Sequence, residues 1–422
     1  MILSAIQSIK NDFSRSLFYW FTFVLTSMFM FLFFHLSYSD MVGVTFIHSQ
    51  KNMATNLTII VLVICMIVIF FANDFYVKKK SKAIAVMLMS GGTYLQIVQY
   101  LLFQTFILFI FAIPIGIFCS LAAIPFINEV LINVLHSQGY ISIRLDAMIS
   151  TTIILGFEII WCTILNLGYT YRCSIKTLLD NEHTKIVLKI PTLYKFNIPI
   201  HAVKIISLLL FIGPVLLFYM SKDDLSSLLF YSIIGMIGLY LSIHRVFIPW
   251  LNENIQIKWI NQKLKMIYCG LLRSDLMLLK KNIILFIVSD ILILAMMSIS
   301  LQNVLDILLS LLSFVVMNIL LSLSILLNYA NELPSRKKVF QALQKIGYTK
   351  DDQKKIILYE VLGLYGFILV VALFYILNMM IVLMLHSFLD IQFIMVIMIL
   401  FIVPLIICCL ISYLYYKRLL RD

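Results

Sequence analysis

The strongest constraint on this chain is a series of ten apolar runs, each long enough to cross a lipid bilayer. A bilayer core about 30 Å thick needs roughly 20 apolar residues for each helical crossing. Of the 422 residues, 62% are hydrophobic and 12% are charged, whereas soluble domains carry about a quarter charged residues. This composition excludes a soluble protein. The runs lie near residues 17–36, 56–73, 97–124, 147–169, 205–220, 226–243, 282–300, 304–327, 358–384 and 391–415.

Helices are the expected form of these runs, because lipid offers no hydrogen-bond partners to the backbone. The sequence therefore predicts an all-α polytopic membrane protein with ten transmembrane helices. Of the 32 Lys and Arg residues, 29 fall on the side of the two termini, and only Lys51, Arg144 and Lys222 fall on the other. By the positive-inside rule both termini are expected in the cytoplasm. The net charge of +12 is thus a topology signal, and no nucleic-acid partner is expected.

An internal repeat follows the second and the eighth run. The segment KKKSKAIAVMLMSGGTYLQIVQYLLFQ begins at Lys78, and PSRKKVFQALQKIGYTKDDQKKIILYE begins at Pro334, an offset of 256. Each copy is predicted to be a short basic helix with apolar residues three or four apart, ending at a glycine before the chain re-enters the bilayer. The predicted regions are 1–171 (four spans), 172–260 (a linker and a two-helix hairpin) and 261–422 (four spans).

Catalytic and metal-binding patterns are missing from the sequence. The seven histidines are scattered, the seven cysteines include no CxxC pair, and neither HExxH nor GxSxG occurs. No GxxxxGK[ST] phosphate-binding loop is present either, so the chain cannot hold ATP in that manner. We therefore expect no enzyme activity, no metal and no directly bound cofactor.

Two carboxyl residues fall inside predicted spans, where ionisable groups are costly and often functional. Glu158 lies in the middle of the fourth run and Asp290 near the middle of the seventh. One interpretation is that they contact a substrate in a shared interior. The other is that they are protonated or hydrogen-bonded groups that fix helix packing, and the sequence leaves both open.

The repeated segment resembles the FtsX-like permease domain of ABC exporters of the MacB type. In that family the loop between the second and third of four spans is similar to RRxxEIAxLRALGxSxxQI, which KSKAIAVMLMSGGTYLQI at Lys80–Ile97 matches well and residues 335–353 match less closely. Two FtsX-like halves joined by a hairpin look like the ten-span BceB-like permeases of bacitracin and antimicrobial-peptide resistance. Those permeases carry a large extracellular domain between the seventh and eighth spans, whereas here only Ser300 to Val304 separate them.

The resemblance implies a separate ABC ATPase homodimer, two subunits per permease chain, which would hold ATP and Mg. It implies that the two repeated segments are coupling helices that dock on those subunits. The residues expected there are Lys78, Lys80, Lys82, Ile84, Met87, Leu88 and Gly91 in the first copy and Arg336, Lys338, Phe340, Leu343, Ile346 and Gly347 in the second.

The expected function is that of an exporter subunit acting on an amphiphile lodged in the cell membrane, such as an antimicrobial peptide, an antibiotic or a lipid. A composition rich in Ile, Leu and Lys favours a Gram-positive source. One alternative is a mechanotransmitting protein that regulates a sensor histidine kinase or a cell-wall hydrolase without transport. A haem exporter is another, since some FtsX-like permeases export haem. An ion-coupled carrier would need more intramembrane charge than two carboxyls provide.

Overall fold

The regular structure of this computed structural model is helical throughout the residues that it describes, namely 13–38, 48–135, 143–172, 200–220, 225–259, 261–299, 304–385 and 391–419. The prediction of an all-α fold is therefore confirmed. The helices are α1 (Phe13–Ser37), α2 (His48–Met89), α3 (Tyr94–Leu135), α4 (Leu145–Arg172), α5 (Ile200–Met220), α6 (Leu225–Ser242), a π-helical turn (Ile243–Phe247), α7 (Ile248–Ile257), α8 (Lys263–Ile299), α9 (Val304–Lys345), α10 (Lys350–Leu385) and α11 (Ile391–Leu419).

Nine of the helices in the described part of the chain are long and apolar enough to cross a membrane. They correspond to nine of the ten predicted spans. The remaining prediction, residues 282–300, falls within α8, which is not among the nine. Helix α8 begins about twenty residues before that predicted span, in a stretch that carries five basic residues. A count of ten spans, and the side of the membrane on which the termini lie, therefore stay predictions.

The repeated basic segments are not separate short helices, as the sequence suggested. They are the ends of α2 and α9, each of which runs without a break for 42 residues, about 63 Å at 1.5 Å per residue. Helix α9 continues through Pro334. The physical reason is that a helix is not obliged to end where its apolar run ends, and no glycine interrupts either chain segment before Gly91 or Gly347.

The described residues divide into two compact units. The first takes those within Met1–Ile186 and Asn303–Val316, and the second those within Val187–Gln302 and Met317–Asp422. In the first unit α1 packs closely on α3, because Gly116 leaves room for the α1 backbone at Val24 and for Ser27. Trp161 on α4 donates a hydrogen bond to the carbonyl of Met66 on α2 (3.2 Å).

The second unit contains the hairpin of α5 and α6. These helices approach so closely that a Cβ on Gly238 would lie 2.2 Å from the backbone carbonyl of Leu210. Ser242 also donates a hydrogen bond to the carbonyl of Ser207 (2.9 Å). Tyr375 on α10 donates a hydrogen bond to the carbonyl of Phe211, which ties the hairpin to the rest of this unit. The predicted division of the chain into three parts stays a prediction.

Candidate functional site: two helical tips and their roots

Each repeated segment ends in a tight turn that joins two long helices. We call residues 83–97, between α2 and α3, the first tip, and residues 339–353, between α9 and α10, the second tip. Gly91 and Gly347 adopt φ values of +88° and +103°, a left-handed conformation that costs other residues energy. The helices therefore end where the sequence placed their glycines.

The two turns are closed by the same pair of hydrogen bonds. In the first tip the amide of Gly92 donates to Met87 O (2.9 Å) and that of Gly91 to Leu88 O (3.1 Å). In the second, Tyr348 donates to Leu343 O and Gly347 to Gln344 O, both at 3.1 Å. This pair of bonds is the Schellman motif, which satisfies carbonyls at a helix C-terminus.

The helices that follow also begin in the same way. Thr93 and Gln96 exchange side-chain-to-backbone hydrogen bonds at the start of α3, and Thr349 and Asp352 do so at the start of α10. Such a reciprocal pair, three residues apart, is a capping box. Two copies of a helix end, a glycine turn and a capping box, 256 residues apart, are strong structural evidence for an internal duplication.

Apolar side chains are exposed on both tips. In the first tip they are Val86, Met89, Tyr94 and Leu95, and in the second Val339 and Ile346. Several exposed apolar side chains gathered at a helix end are typical of a protein contact surface. Beside the second tip lies a cleft of about 840 Å³ whose lining includes Lys263, Lys265, Asp352, Tyr268, Tyr348 and Tyr359, so that surface is concave and carries charged as well as aromatic groups.

The structure separates the predicted coupling residues into two groups. Lys78, Gly91, Ile346 and Gly347 are exposed, and Met87, Leu88 and Leu343 are half-buried. Lys80, Ile84, Arg336 and Phe340 are buried within their own units, so their side chains do not form a partner surface. The side chains of Lys82 and Lys338 lie outside the described residues.

Arg336 forms a buried ion cluster on α9 just before the second tip. We call this cluster, formed by Arg336, Asp275, Glu360 and Tyr416, the root of the second tip. The guanidinium of Arg336 donates one hydrogen bond to Asp275 on α8 and another to Glu360 on α10. Tyr416 on α11 donates to the second carboxylate oxygen of Glu360 (3.4 Å). Arg336 is 5% exposed, Asp275 1% and Glu360 0%. One side chain of α9 thus contacts three other helices through the cluster.

Electrostatics hold this arginine in its charged form. Burial by itself lowers the pKa of Arg336, but the carboxylates of Asp275 and Glu360 outweigh burial and raise the pKa above its ordinary value. Sequence reasoning gave Glu360 no special role and did not single out Asp275 or Tyr416. The available signal was two acidic residues within largely apolar stretches, because a carboxylate that stays charged in a buried site needs a cation beside it.

The matching part of the first unit, formed by Tyr19, Asn73, Tyr76, Lys80 and Gln104, is the root of the first tip. Aromatic and amide groups form hydrogen bonds there, where the second root has carboxylates. Tyr19 on α1 stacks on Tyr76 (ring centroids 4.6 Å apart) and donates a hydrogen bond to Asn73 (2.8 Å). Tyr76 donates to the side-chain carbonyl of Gln104 on α3 (3.0 Å). Lys80, the counterpart of Arg336, lies 5.6 Å from the centre of the Tyr76 ring. Gln104 is the counterpart of Glu360, so a neutral amide stands where the second root has a carboxylate.

The two carboxyl groups predicted inside spans are both buried. Glu158 lies on α4 in the first unit, and Asp290 lies on α8 in the second. No hydrogen-bond partner is found for either carboxylate oxygen of either residue among the described residues. Thr26 lies near Glu158, but its hydroxyl donates to Phe23 O (3.2 Å). The hypothesis that the two carboxyls face a shared interior stays untested.

Comparison with known protein families identifies part of the chain. Residues 57–178 match the family described as FtsX-like permease C-terminal. The matched residues run from α2 through α4 and include the first tip. The match indicates a multi-pass membrane protein of the ABC-transporter permease type, and FtsX-like permease domains typically work with ABC ATPase partners. No curated protein sequence matches the chain.

Proposed function

We propose that this chain is the membrane subunit of an ATP-driven ABC exporter, and that an ATPase dimer docks on the two tips. The observation that carries the proposal is the duplicated turn, because two identical ATPase subunits need two similar surfaces. The positive-inside count supports a cytoplasmic location for both tips, where such subunits would lie. The chain has no phosphate-binding loop of its own, so ATP and Mg would be held by the partner.

The apolar surface of each tip fits a groove on a partner subunit. Helix-in-groove docking relies on a few apolar side chains one helical turn apart. Val86 and Met89 provide them in the first tip, with Leu95 beyond the turn. In the second tip, Val339 is exposed on α9 and Ile346 is exposed just after the end of that helix. A displacement of either tip would be carried into the membrane, since α2 and α9 are unbroken helices.

A membrane-lodged amphiphile is the proposed substrate class. In the connection between α8 and α9, residues 300–303 alone separate the two helices. Four residues are too few for the large domain that BceB-like permeases carry between these spans, which supports a membrane-lodged substrate over a soluble one. A peptide, antibiotic or lipid already dissolved in the bilayer would reach the helices directly.

Co-purification with an ATPase tests the proposal. The tagged chain is purified from its native membrane in mild detergent and compared with the double variant Met89→Asp with Ile346→Asp. We expect a P-loop ATPase at two copies per chain, and its loss in the double variant, because a carboxylate cannot enter an apolar groove without a partner. The matched control is Ile257→Asp, since Ile257 and Ile346 are both 75% exposed and Ile257 lies outside the tips.

The outcomes separate the rival functions. If the wild-type chain retains no ATPase, the exporter proposal is wrong, and a signalling role or an ion-coupled carrier becomes the better explanation. If the ATPase is retained equally by the double variant, the tips are not the docking surface. Turnover of ATP that responds to an added amphiphile distinguishes transport from a purely regulatory membrane protein, and a response to haem alone would favour the haem exporter.

A further inference from the structure

A groove lies between α3 and α4 in the first unit. Its volume is about 290 Å³, close to the lower end of the range for small-ligand pockets, which begins at about 300 Å³. Phe103 and Phe106 line the groove and are exposed. Because α3 and α4 are candidate membrane spans, side chains that are exposed at this depth contact lipid. The groove therefore opens to lipid and has room for one hydrocarbon chain.

The chemistry of the lining changes along the groove. Gln99, which is exposed and lies beside the first tip, places an amide group at one end, whereas Leu102, Phe106 and Phe109 are apolar. Phe109 lies ten residues after Gln99 on α3, about 15 Å along an α-helix, which is half of a bilayer core about 30 Å thick. An amphiphile in the leaflet on the side of the tips has the same order, with a polar head group at the surface and a chain that reaches the middle of the bilayer.

Hydrogen bonds fix the walls of the groove before any ligand enters. The side-chain amide of Asn166 on α4 donates to the hydroxyl of Thr105 on α3 (3.1 Å). The hydroxyls of Thr105 and Thr163, which both line the groove, donate to the carbonyls of Leu101 (2.9 Å) and Ile159 (2.6 Å) on their own helices. The hydroxyl protons are therefore already bonded, and an apolar chain can lie against these residues without stranding a donor.

Phe109 connects the groove with the root of the first tip. Its ring packs on that of Phe23 on α1 (4.7 Å between ring centroids), and Phe23 packs on Tyr19 (4.6 Å). Tyr19 in turn stacks on Tyr76 (4.6 Å), and all four rings are buried. Protein interiors are close-packed and transmit small displacements, so a chain that changes the packing of Phe109 acts on a series of rings that ends at the root.

We propose that this groove binds the hydrocarbon chain of an amphiphile from the leaflet on the side of the tips, with the head group beside Gln99 and the end of the chain beside Phe109. The proposal deepens the proposed function, and it rests on that function only for the statement that this amphiphile is the transported substrate. The positive-inside count favours the cytoplasmic leaflet as the tip-side one, so the exporter would take its substrate from that leaflet.

Photolabelling of the purified full chain in phosphatidylcholine nanodiscs tests the site. The probe is a lysophosphatidylcholine that carries a diazirine at the end of its chain. We expect about five-fold more label per residue around Phe106 and Phe109 than at Phe111 and Phe118, because carbon atoms contact a chain in the groove on several sides and a chain on the open surface on one. The two control residues lie on the same helix, are exposed, and are outside the lining. Equal label at both places means contact with bulk lipid only and overturns the proposal.

The position of the diazirine tests the orientation of the chain. A probe with the diazirine next to the head group should move the label towards Gln99. Label at Gln99 from the chain-end probe and at Phe109 from the head-group probe would overturn the assignment to the tip-side leaflet.

A filled groove supplies the matched variants. In Thr163→Phe the added ring should reduce the label in the groove to the level of the surface controls. Ile160→Phe should label as the wild type does, since Ile160 is exposed on the same helix and outside the lining. Thr163→Leu adds a smaller side chain, is still less disruptive to folding, and should give an intermediate label. Wild-type labelling in both Thr163 variants would contradict the site.

ATP turnover of the co-purified complex separates this proposal from the proposed function. Lysophosphatidylcholine should stimulate turnover in the wild type and in Ile160→Phe, but not in Thr163→Phe. Phe23→Leu should keep the label and lose the stimulation, because it interrupts the ring contacts between Phe109 and Tyr19. If no ATPase accompanies the chain, the proposed function fails while the labelling still decides the groove. Label in the groove with no effect on turnover would show a resident lipid and overturn the assignment of a substrate.

Discussion

The hairpin of α5 and α6 permits a prediction whose size follows from one short contact. In Gly238→Ala the new methyl carbon would lie 2.2 Å from the carbonyl of Leu210, whereas carbon atoms pack at about 3.5–4.0 Å. The helices must therefore separate locally by more than an ångström. Overpacking of this kind costs about 1–3 kcal/mol. The bond from Ser242 to Ser207, now 2.9 Å, would be stretched, at a further cost of about 1 kcal/mol.

A matched substitution lies on α10 of the same unit. Gly366, also helical, has no atom of a residue outside its own stretch of helix within 4 Å of the position that a methyl group would take, so Gly366→Ala should gain up to about 1 kcal/mol from helix propensity alone. Gly238→Ala shares that gain and is expected to be destabilised by a net of about 2 kcal/mol. Thermal unfolding in detergent, followed by loss of the monodisperse peak, measures both. Equal midpoints for the two variants would refute the packing argument.

Three further predictions concern single groups. Gly91→Ala and Gly347→Ala should each destabilise the tip by about 1 kcal/mol, because alanine is strained at positive φ, and faster amide exchange at the altered tip alone would show it. Glu158→Gln should leave the thermal unfolding midpoint nearly unchanged, since neither carboxylate oxygen has a partner among the described residues. A loss of more than about 1 kcal/mol in the free energy of unfolding would instead reveal a bound cation or an ion pair. Tyr375→Phe removes the hydrogen bond to Phe211 and should lower stability by about 1 kcal/mol, and an unaltered midpoint would show that this bond is not needed.

The features that could be predicted from the sequence are those set by local chemistry. Helical structure followed from the apolar runs, and the ends of α2 and α9 followed from Gly91 and Gly347, where a glycine after a helical pattern permits the left-handed turn. The offset of 256 also predicted which residues would occupy matching positions. The capping boxes could have been read from Thr93 and Thr349 with an acceptor three residues later.

Tertiary partners could not be predicted in this way. Arg336 stands in a basic cluster with Lys337 and Lys338 and therefore suggested an exposed helix face. Its partners are 61 and 24 residues away in sequence, so only the packing of α8 and α10 brings them together. The length of α2 and α9 was missed for another reason: a hydropathy window reports where a helix leaves lipid, not where it stops.

The order in which the chain is synthesised gives the ion cluster a further consequence. Asp275 is made first, Arg336 and Glu360 follow, and Tyr416, whose hydroxyl completes the hydrogen bonds of Glu360, comes 56 residues after that carboxylate. Until α11 is inserted, Glu360 lacks the hydrogen bond from Tyr416, and the cluster is not covered by that helix. In a nascent second unit Glu360 would thus be held by Arg336 before Tyr416 arrives, and the cluster would gain its last hydrogen bond only when α11 packs against it.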